Sequence, residues 1–155
     1  MIRICAIRWM LRSIPIFSRQ PPAASDVSVK DYRRLDVWAK AHALTLSVYR
    51  ETRSFPSDER FGLTSQIRRA AVSVPSNIAE GRGRSSDAEF ARFLHIAAGS
   101  LNELEYQCIL SKELGYLALE SADRLIQECA DVRRMLAGLL QSLSQSTGTS
   151  VTNFR

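Results

Sequence analysis

Gln66-Ile67-Arg68-Arg69-Ala70-Ala71-Val72-Ser73-Val74-Pro75-Ser76-Asn77-Ile78-Ala79-Glu80-Gly81-Arg82-Gly83-Arg84 is the stretch on which the reading of the chain turns. Together with Leu63 just before it, Ile67, Ala70, Val74 and Ile78 recur at steps of 4, 3, 4 and 4, the period that puts side chains on one face of an α-helix. Beside this apolar stripe runs a polar one, Gln66, Arg69, Ser73, Asn77 and Glu80, at steps of 3, 4, 4 and 3. A freely solvated face is usually Lys and Glu; amide, hydroxyl and guanidinium groups instead make directional hydrogen bonds. Pro75 interrupts the pattern. It removes one backbone donor and frees the carbonyl of Ala71, at a cost of about 3 kcal/mol in an unsupported helix, and it biases Val74 away from helical geometry. Either the helix kinks at 73–75 and continues, which keeps Ile78 on the apolar face, or it ends at Val74 and a separate turn leads to Gly81. Gly81 reads as a left-handed C-cap.

Working outward, the same periodicity defines three more helices. Upstream, Val37, Ala41, Leu44 and Val48 form a stripe that Leu35, Trp38, His42 and Tyr49 widen, predicting a first helix from Tyr32 to Arg53. Phe55-Pro56-Ser57 ends it and offers Ser57 as the N-cap of the next, with Asp58 and Glu59 placed for the helix dipole. Downstream, Ser86-Asp87-Ala88-Glu89 fits a capping box. It opens a third helix to Gly115, in which Phe90, Leu94, Ala97, Leu101, Leu104 and Cys108 form the seam of an antiparallel bundle. After Gly115-Tyr116, a fourth helix from Glu120 to Leu143 repeats that spacing with Leu125, Cys129, Val132, Leu136, Leu139 and Leu143. Four amphipathic helices on short connectors bury their stripes only against one another, so the expected fold is all-α, an up-down-up-down antiparallel four-helix bundle over residues 31–143.

Composition agrees. The 155 residues suffice for one domain with its own core, and 7 glycines and 5 prolines are few for a sandwich or barrel. Residues 144–155 are Ser/Thr-rich and read as a disordered tail. Residues 1–30 carry five basic residues against one acid, and they read as a basic, disordered extension that includes a Pro21-Pro22-Ala23-Ala24-Ser25 linker. Arg8 and Arg12 interrupt any secretory core, and no run is long enough to span a membrane. The extension is transit-like or a basic surface helix, or else carries no structural role. The formal charge of +5 is therefore largely a property of the extension. Within the remainder, residues 31–92 have 11 basic and 8 acidic residues, whereas 93–131 have 2 and 7. Opposite charges on different parts of one chain suit self-association at least as well as phosphate binding.

Catalytic chemistry is not legible. His42 and His95 lack metal-spaced carboxylates or a nucleophile motif, and His42 reads as a core histidine on the flank of the first helix. Cys5, Cys108 and Cys129 are odd in number and read as reduced thiols of a cytoplasmic protein, the latter two as small apolar seam residues. No metal, cofactor or enzymatic activity is expected. Ser100, Glu103 and Gln107 form a polar stripe on the third helix that matches the one on the second. Two such stripes face each other within the bundle, join neighbouring subunits, or are solvated; a buried group left unmatched costs about 1–3 kcal/mol. The Gly81–Ser86 loop, with Arg82 and Arg84 before a helix N-terminus, reads either as an anion cradle or as a plain cap and connector.

These residues also carry a resemblance. Leu35-x-x-Trp38, Phe55-Pro56, Phe61-Gly62-Leu63-Thr64-Ser65-Gln66-Ile67-Arg68-Arg69-Ala70, Ser73-x-Pro75-x-Asn77-Ile78-Ala79-Glu80-Gly81, Arg84, Phe90-x-Arg92-Phe93-Leu94 and Gly99-Ser100-Leu101-x-Glu103-Leu104 resemble the bacterial four helix bundle family, also called the 23S rRNA intervening sequence protein family. The resemblance covers about residues 31–143. It implies a cytoplasmic, non-enzymatic protein assembled as a homopentameric ring, with some members encoded inside intervening sequences of the large ribosomal RNA gene. The family is similar to accessory variability proteins that act beside a reverse transcriptase and bind nucleic acid through basic surfaces. The corresponding expectation here is an oligomer that binds structured RNA or a reverse-transcriptase-type ribonucleoprotein through Arg60, Arg68, Arg82, Arg84 and Arg92, with Gln66, Arg69, Ser73, Asn77, Glu80, Ser100 and Glu103 as an assembly seam. The alternative expectation is a protein–protein scaffold whose arginines pair with acids of a neighbouring subunit.

Overall fold

The apolar stripes form helices close to where their spacing puts them. A computed structural model describes residues 31–148; the expected extension over 1–30 and the last seven residues of the expected tail lie outside the described residues. Four helices follow in order: α1 (Asp36–Glu51), α2 (Leu63–Arg82), α3 (Asp87–Glu113) and α4 (Leu119–Gly148). The first helix is shorter than expected at both ends. Tyr32–Arg34 is a separate 3₁₀ turn opened by the carboxylate of Asp31, which accepts from Arg33 N at 3.0 Å, and Thr52–Ser54 is another. α4 runs five residues beyond Leu143, because Ser, Thr and Gln are only mildly unfavourable once a helix is nucleated.

Each helix packs on two neighbours, and α4 closes back on α1. Contacts between neighbours run in opposite chain directions. Thr45 meets Ala71 and Thr52 meets Arg68 between α1 and α2; Ser73 meets Ser100 and Gly81 meets Phe93 between α2 and α3. Lys112–Asp123 and Glu105–Arg133 join α3 to α4, and Glu51–Arg124 and Lys40–Asp131 join α1 to α4. The four neighbouring pairs are thus antiparallel. Val48, Ile67, Ile78, Leu94, Leu101, Leu104, Cys108, Leu125, Cys129 and Val132 are fully buried in the core they enclose. At one end, Phe55 from the α1–α2 connector packs on Tyr116 in the α3–α4 turn, ring centroids 5.8 Å apart. That turn needs Gly115 at φ +73°, a left-handed conformation that a side chain strains.

Pro75 sits well inside α2, which continues through it to Arg82, so the continuing-helix alternative is the one observed. The carbonyl it frees finds a donor on another helix. Buried Thr45 Oγ1 on α1 lies 2.9 Å from Ala71 O and also 2.9 Å from Ala41 O in its own helix. A single hydroxyl proton is shared between them, and Ala41 O retains the ordinary helical donor, the Thr45 N–H. The proline therefore costs less here than in an isolated helix, and it ties α2 to α1 at one register.

Two caps differ from expectation. Ser57 does not open α2; Ser57–Arg60 form a 3₁₀ turn, and Gly62 is the N-cap, with the Glu59 carboxylate accepting from Leu63 N at 2.8 Å. Gly81 is not a left-handed cap. It is buried inside α2, and a Cβ there would stand 2.5 Å from Phe93 Cβ and 3.0 Å from Phe90 Cδ2. The glycine lets α3 approach closely, and the helix ends at Gly83 in right-handed geometry. Ser86 does cap α3, accepting from Glu89 N at 3.2 Å.

Candidate assembly and nucleic-acid surface

The two polar stripes meet where Ser73, at the middle of the α2 stripe, faces Ser100, at the start of the α3 stripe. Ser73 and Ser100 hydroxyls are 2.8 Å apart across the α2–α3 interface, and Ser100 also donates to Ile96 O at 3.1 Å. Asn77 Nδ2 donates to Ser73 O at 2.8 Å and to its hydroxyl at 3.0 Å. These three residues form a part-buried cluster that fixes the register of α2 against α3. The rest of the expected seam faces outward: Gln66, Arg69, Glu80 and Glu103 are exposed. Glu80 is held by Arg84 at 2.5 Å, and Glu103 accepts from Gln107 Nε2 at 3.1 Å.

The expected basic residues do not form one patch. Arg60 and Arg68 lie near the start of α2, Arg82 and Arg84 near its end, and Arg92 near the start of α3. At 1.5 Å per residue, Arg68 and Arg82 are about 21 Å apart along the axis. Several are also engaged inside the bundle. Arg68 donates to Thr52 Oγ1 at 2.8 Å and to Thr52 O at 3.2 Å, with its guanidinium 5.0 Å over the Tyr49 ring. Arg82 lies over Phe90, and Arg84 lies over Phe93 while pairing with Glu80. In the Gly81–Ser86 loop the arginines are turned onto rings and Glu80, and the next helix brings Asp87 and Glu89 to its own N-terminus, an arrangement that favours the cap-and-connector reading over the anion cradle.

Around the first half of α2 the surface is a groove of about 720 Å³, open to solvent. Arg60, Phe61, Arg68 and Arg69 line it beside Tyr49, Val72 and Glu103. Phe61 is 87% exposed, with Arg60 5.6 Å from its ring. Thr64 Oγ1, also in the lining, is buried without a hydrogen-bond partner among the described residues. The apolar exposure continues onto α3, where Ile96 is 43% and Tyr106 62% exposed. Spacing arguments missed Phe61, Ile96 and Tyr106 because each falls outside a repeating stripe; the lone aromatic in Arg60-Phe61-Gly62 was the available signal.

Elsewhere the chemistry is quiet. His42 is exposed rather than core, stacked on Trp38 with centroids 5.2 Å apart, because it lies one step beyond the stripe of Val37, Ala41 and Leu44. Burial, reinforced by Glu105 and Glu128, pushes the Cys108 thiol up to about 12; burial likewise pushes Cys129 up, then the neighbouring Cys108. Both are held as protonated, apolar groups. Gln127, then Lys40 and Arg134, hold the Asp131 carboxyl below its usual range on the exposed α1–α4 edge. Among the described residues, no cluster of three or more His, Cys, Asp or Glu side chains has the makings of a metal site, and no helix is long and apolar enough to cross a membrane.

A family model described as 23S rRNA-intervening sequence protein matches residues 33–138. Among solved structures, a protein of unknown function of the S23 ribosomal protein family from Bacteroides thetaiotaomicron VPI-5482 is similar at 23% identity, covering 67% of this chain and 97% of its own, with a TM-score of 0.63. That likeness is one of fold. No curated protein matches the chain.

Proposed function

The chain belongs to the 23S rRNA-intervening sequence protein family, and on that premise we propose that it is a non-enzymatic bundle that self-associates and, once assembled, binds structured RNA or a ribonucleoprotein through a basic rim. The observation that carries the reading is the open surface on α2 and α3, where Phe61, Val72, Ile96 and Tyr106 are exposed among arginines and hydrogen-bonding groups. Exposed aromatic and Arg residues together are characteristic of macromolecular interfaces. Arg60 and Arg92 are exposed and have no acidic partner among the described residues, so they remain available for phosphate. Arg60 lies near the start of α2 and Arg92 near the start of α3, beside the end of α2, so one subunit holds them apart, and repetition around an assembly is what makes a rim of them. Five subunits in a cytoplasmic ring is the form that the family resemblance implies.

A second reading keeps the assembly and omits RNA. It is favoured by the engagement of Arg68, Arg82 and Arg84 within the subunit. Size exclusion with light scattering, run with and without a structured RNA hairpin at low salt, tests the proposal. The expected result is a whole-number multiple of the 17.4 kDa chain that co-elutes with the RNA. A multiple that ignores the RNA supports the scaffold, and a monomer that ignores it refutes both readings.

A further inference from the structure

Between α1 and α2 lies a second groove, of about 340 Å³, lined by Tyr32, Trp38 and His42 on one side and by Val72, Pro75 and Ala79 on the other. Its first wall is an aromatic ladder. The Tyr32 ring meets Trp38 edge-on, with centroids 4.9 Å apart and planes at 62°, and Trp38 stacks on His42 at 5.2 Å with the planes 4° from parallel. Val37, Ala41 and Leu44 already hold α1 in the core, whereas Tyr32 and Trp38 are half-buried and His42 is exposed. The indole N–H of Trp38 and the hydroxyl of Tyr32 donate to no group among the described residues. Flat rings with unused donors at their edges suit a polyproline II strand. Its proline rings pack on aromatic faces, and its carbonyls, which make no internal hydrogen bonds, accept from free N–H and O–H groups.

The chain carries a sequence of this kind just before the groove, Pro21-Pro22-Ala23-Ala24-Ser25. Each proline fixes its own φ and draws the residue before it to extended geometry, so less conformational freedom is lost on binding. The three small residues that follow let the strand lie close to a surface. Residues 23–31 join Pro22 to Tyr32, a reach of about 30 Å at about 3.3 Å per residue. Trp38 and His42 are one turn apart on α1, about 6 Å along its axis, so the tether is long enough to reverse and lay the two prolines along the ladder. The Asp31 carboxylate, accepting from Arg33 N at 3.0 Å, fixes the turn that brings the chain in at Tyr32, on the wall of the groove itself. A tether of this length gives an effective concentration of the order of millimolar, which fills a site whose affinity for the free segment is only modest.

We infer that the α1–α2 groove is a polyproline-binding site and that its occupant is the chain's own Pro21-Pro22 segment, seated on Tyr32, Trp38 and His42. The contact is made within one chain and depends neither on RNA nor on assembly.

Trp38 reports on the groove in the full-length protein once Trp9→Phe has removed the other tryptophan. Acrylamide quenching of Trp38 is compared between that protein and one that also carries Pro21→Ser/Pro22→Ser, with helicity checked by circular dichroism and mass by light scattering. The substituted positions precede the bundle, so helicity should be unchanged. The expected result is a quenching constant roughly twofold larger without the prolines, restored by a synthetic peptide of residues 18–26 at millimolar concentration and not by its Pro→Ser counterpart. Equal quenching in the two proteins overturns the inference. A rise that the peptide does not reverse also overturns it, because the prolines then act on Trp38 from outside the groove. Protection of Trp38 that grows with protein concentration in step with mass assigns the groove to a second copy and overturns it as well. A monomer that ignores RNA yet shows the expected quenching leaves this site standing while the proposed function fails.

Discussion

Replacing Thr45 by valine should expose the cost of Pro75. The substitution nearly preserves shape at a buried position and removes the hydroxyl that lies 2.9 Å from Ala71 O. The donor ordinarily aimed at that carbonyl would be the N–H of residue 75, which proline lacks. A buried acceptor left without a donor costs about 1–3 kcal/mol. The other bond of the hydroxyl, to Ala41 O, should cost little, because that carbonyl retains the Thr45 N–H. In a Pro75→Ala background the new N–H can bond Ala71 O within α2, so Thr45→Val should cost under about 1 kcal/mol there. The expected coupling is about 1–2 kcal/mol, within the range for residues sharing one network. Urea unfolding followed by circular dichroism measures all four corners of the cycle. The coupling is the informative quantity, because Pro75→Ala also changes helix propensity and the packing of a buried side chain. An equal cost of Thr45→Val in both backgrounds would show that the hydroxyl does not serve the carbonyl freed by proline.

Gly81→Ala should destabilise the bundle by about 1–3 kcal/mol despite its better helix propensity, since the added Cβ falls 2.5 Å from Phe93 Cβ; unchanged or higher stability in urea melts would refute the close-packing role. Cys108 and Cys129 should resist thiol reagents in the folded protein and react once it unfolds, and rapid labelling under native conditions would contradict their burial. For Cys108 the folded value is about 12 against an ordinary 9.0, so the unfolded chain ionises first as pH rises. Its contribution to stability is complete below pH 9.0 and declines from there toward 12. Cys108→Ala should therefore lower stability at neutral pH and flatten the alkaline decline in melting temperature.

The core was legible because every buried stripe is periodic. Ile67, Val74 and Ile78 in α2, and Leu94, Leu101 and Leu104 in α3, are buried where their spacing puts them. The Thr45–Ala71 bond was not legible, since it joins residues 26 apart and Thr45 belongs to no polar repeat. Gly81 was misread because a glycine that ends a helix and one that admits a neighbour stand in the same sequence context. The candidate surface was legible in part. Spacing assigned Ser73, Asn77 and Ser100 to matching stripes, and they do meet. Spacing gives the face of a helix but not which subunit's residues come together, so Arg60, Arg68, Arg82 and Arg84 were assigned to one rim although within a subunit they flank opposite ends of α2. Which arginines are engaged by Thr52, Phe90 or Glu80 depends on tertiary contacts that no periodicity encodes.

The central claim is an assembled rim that contacts phosphate, and the most direct test is the salt dependence of RNA affinity for the assembled protein, by fluorescence anisotropy with a labelled structured hairpin. Each phosphate neutralised on duplex nucleic acid contributes about −0.9 to the slope of log affinity against log salt. If Arg60 and Arg92 of even one subunit take part, the slope is about −2 or steeper, and Arg60→Ala or Arg92→Ala reduces it by about one unit. Binding that is absent at low salt, or equally strong across the titration, would contradict the claim.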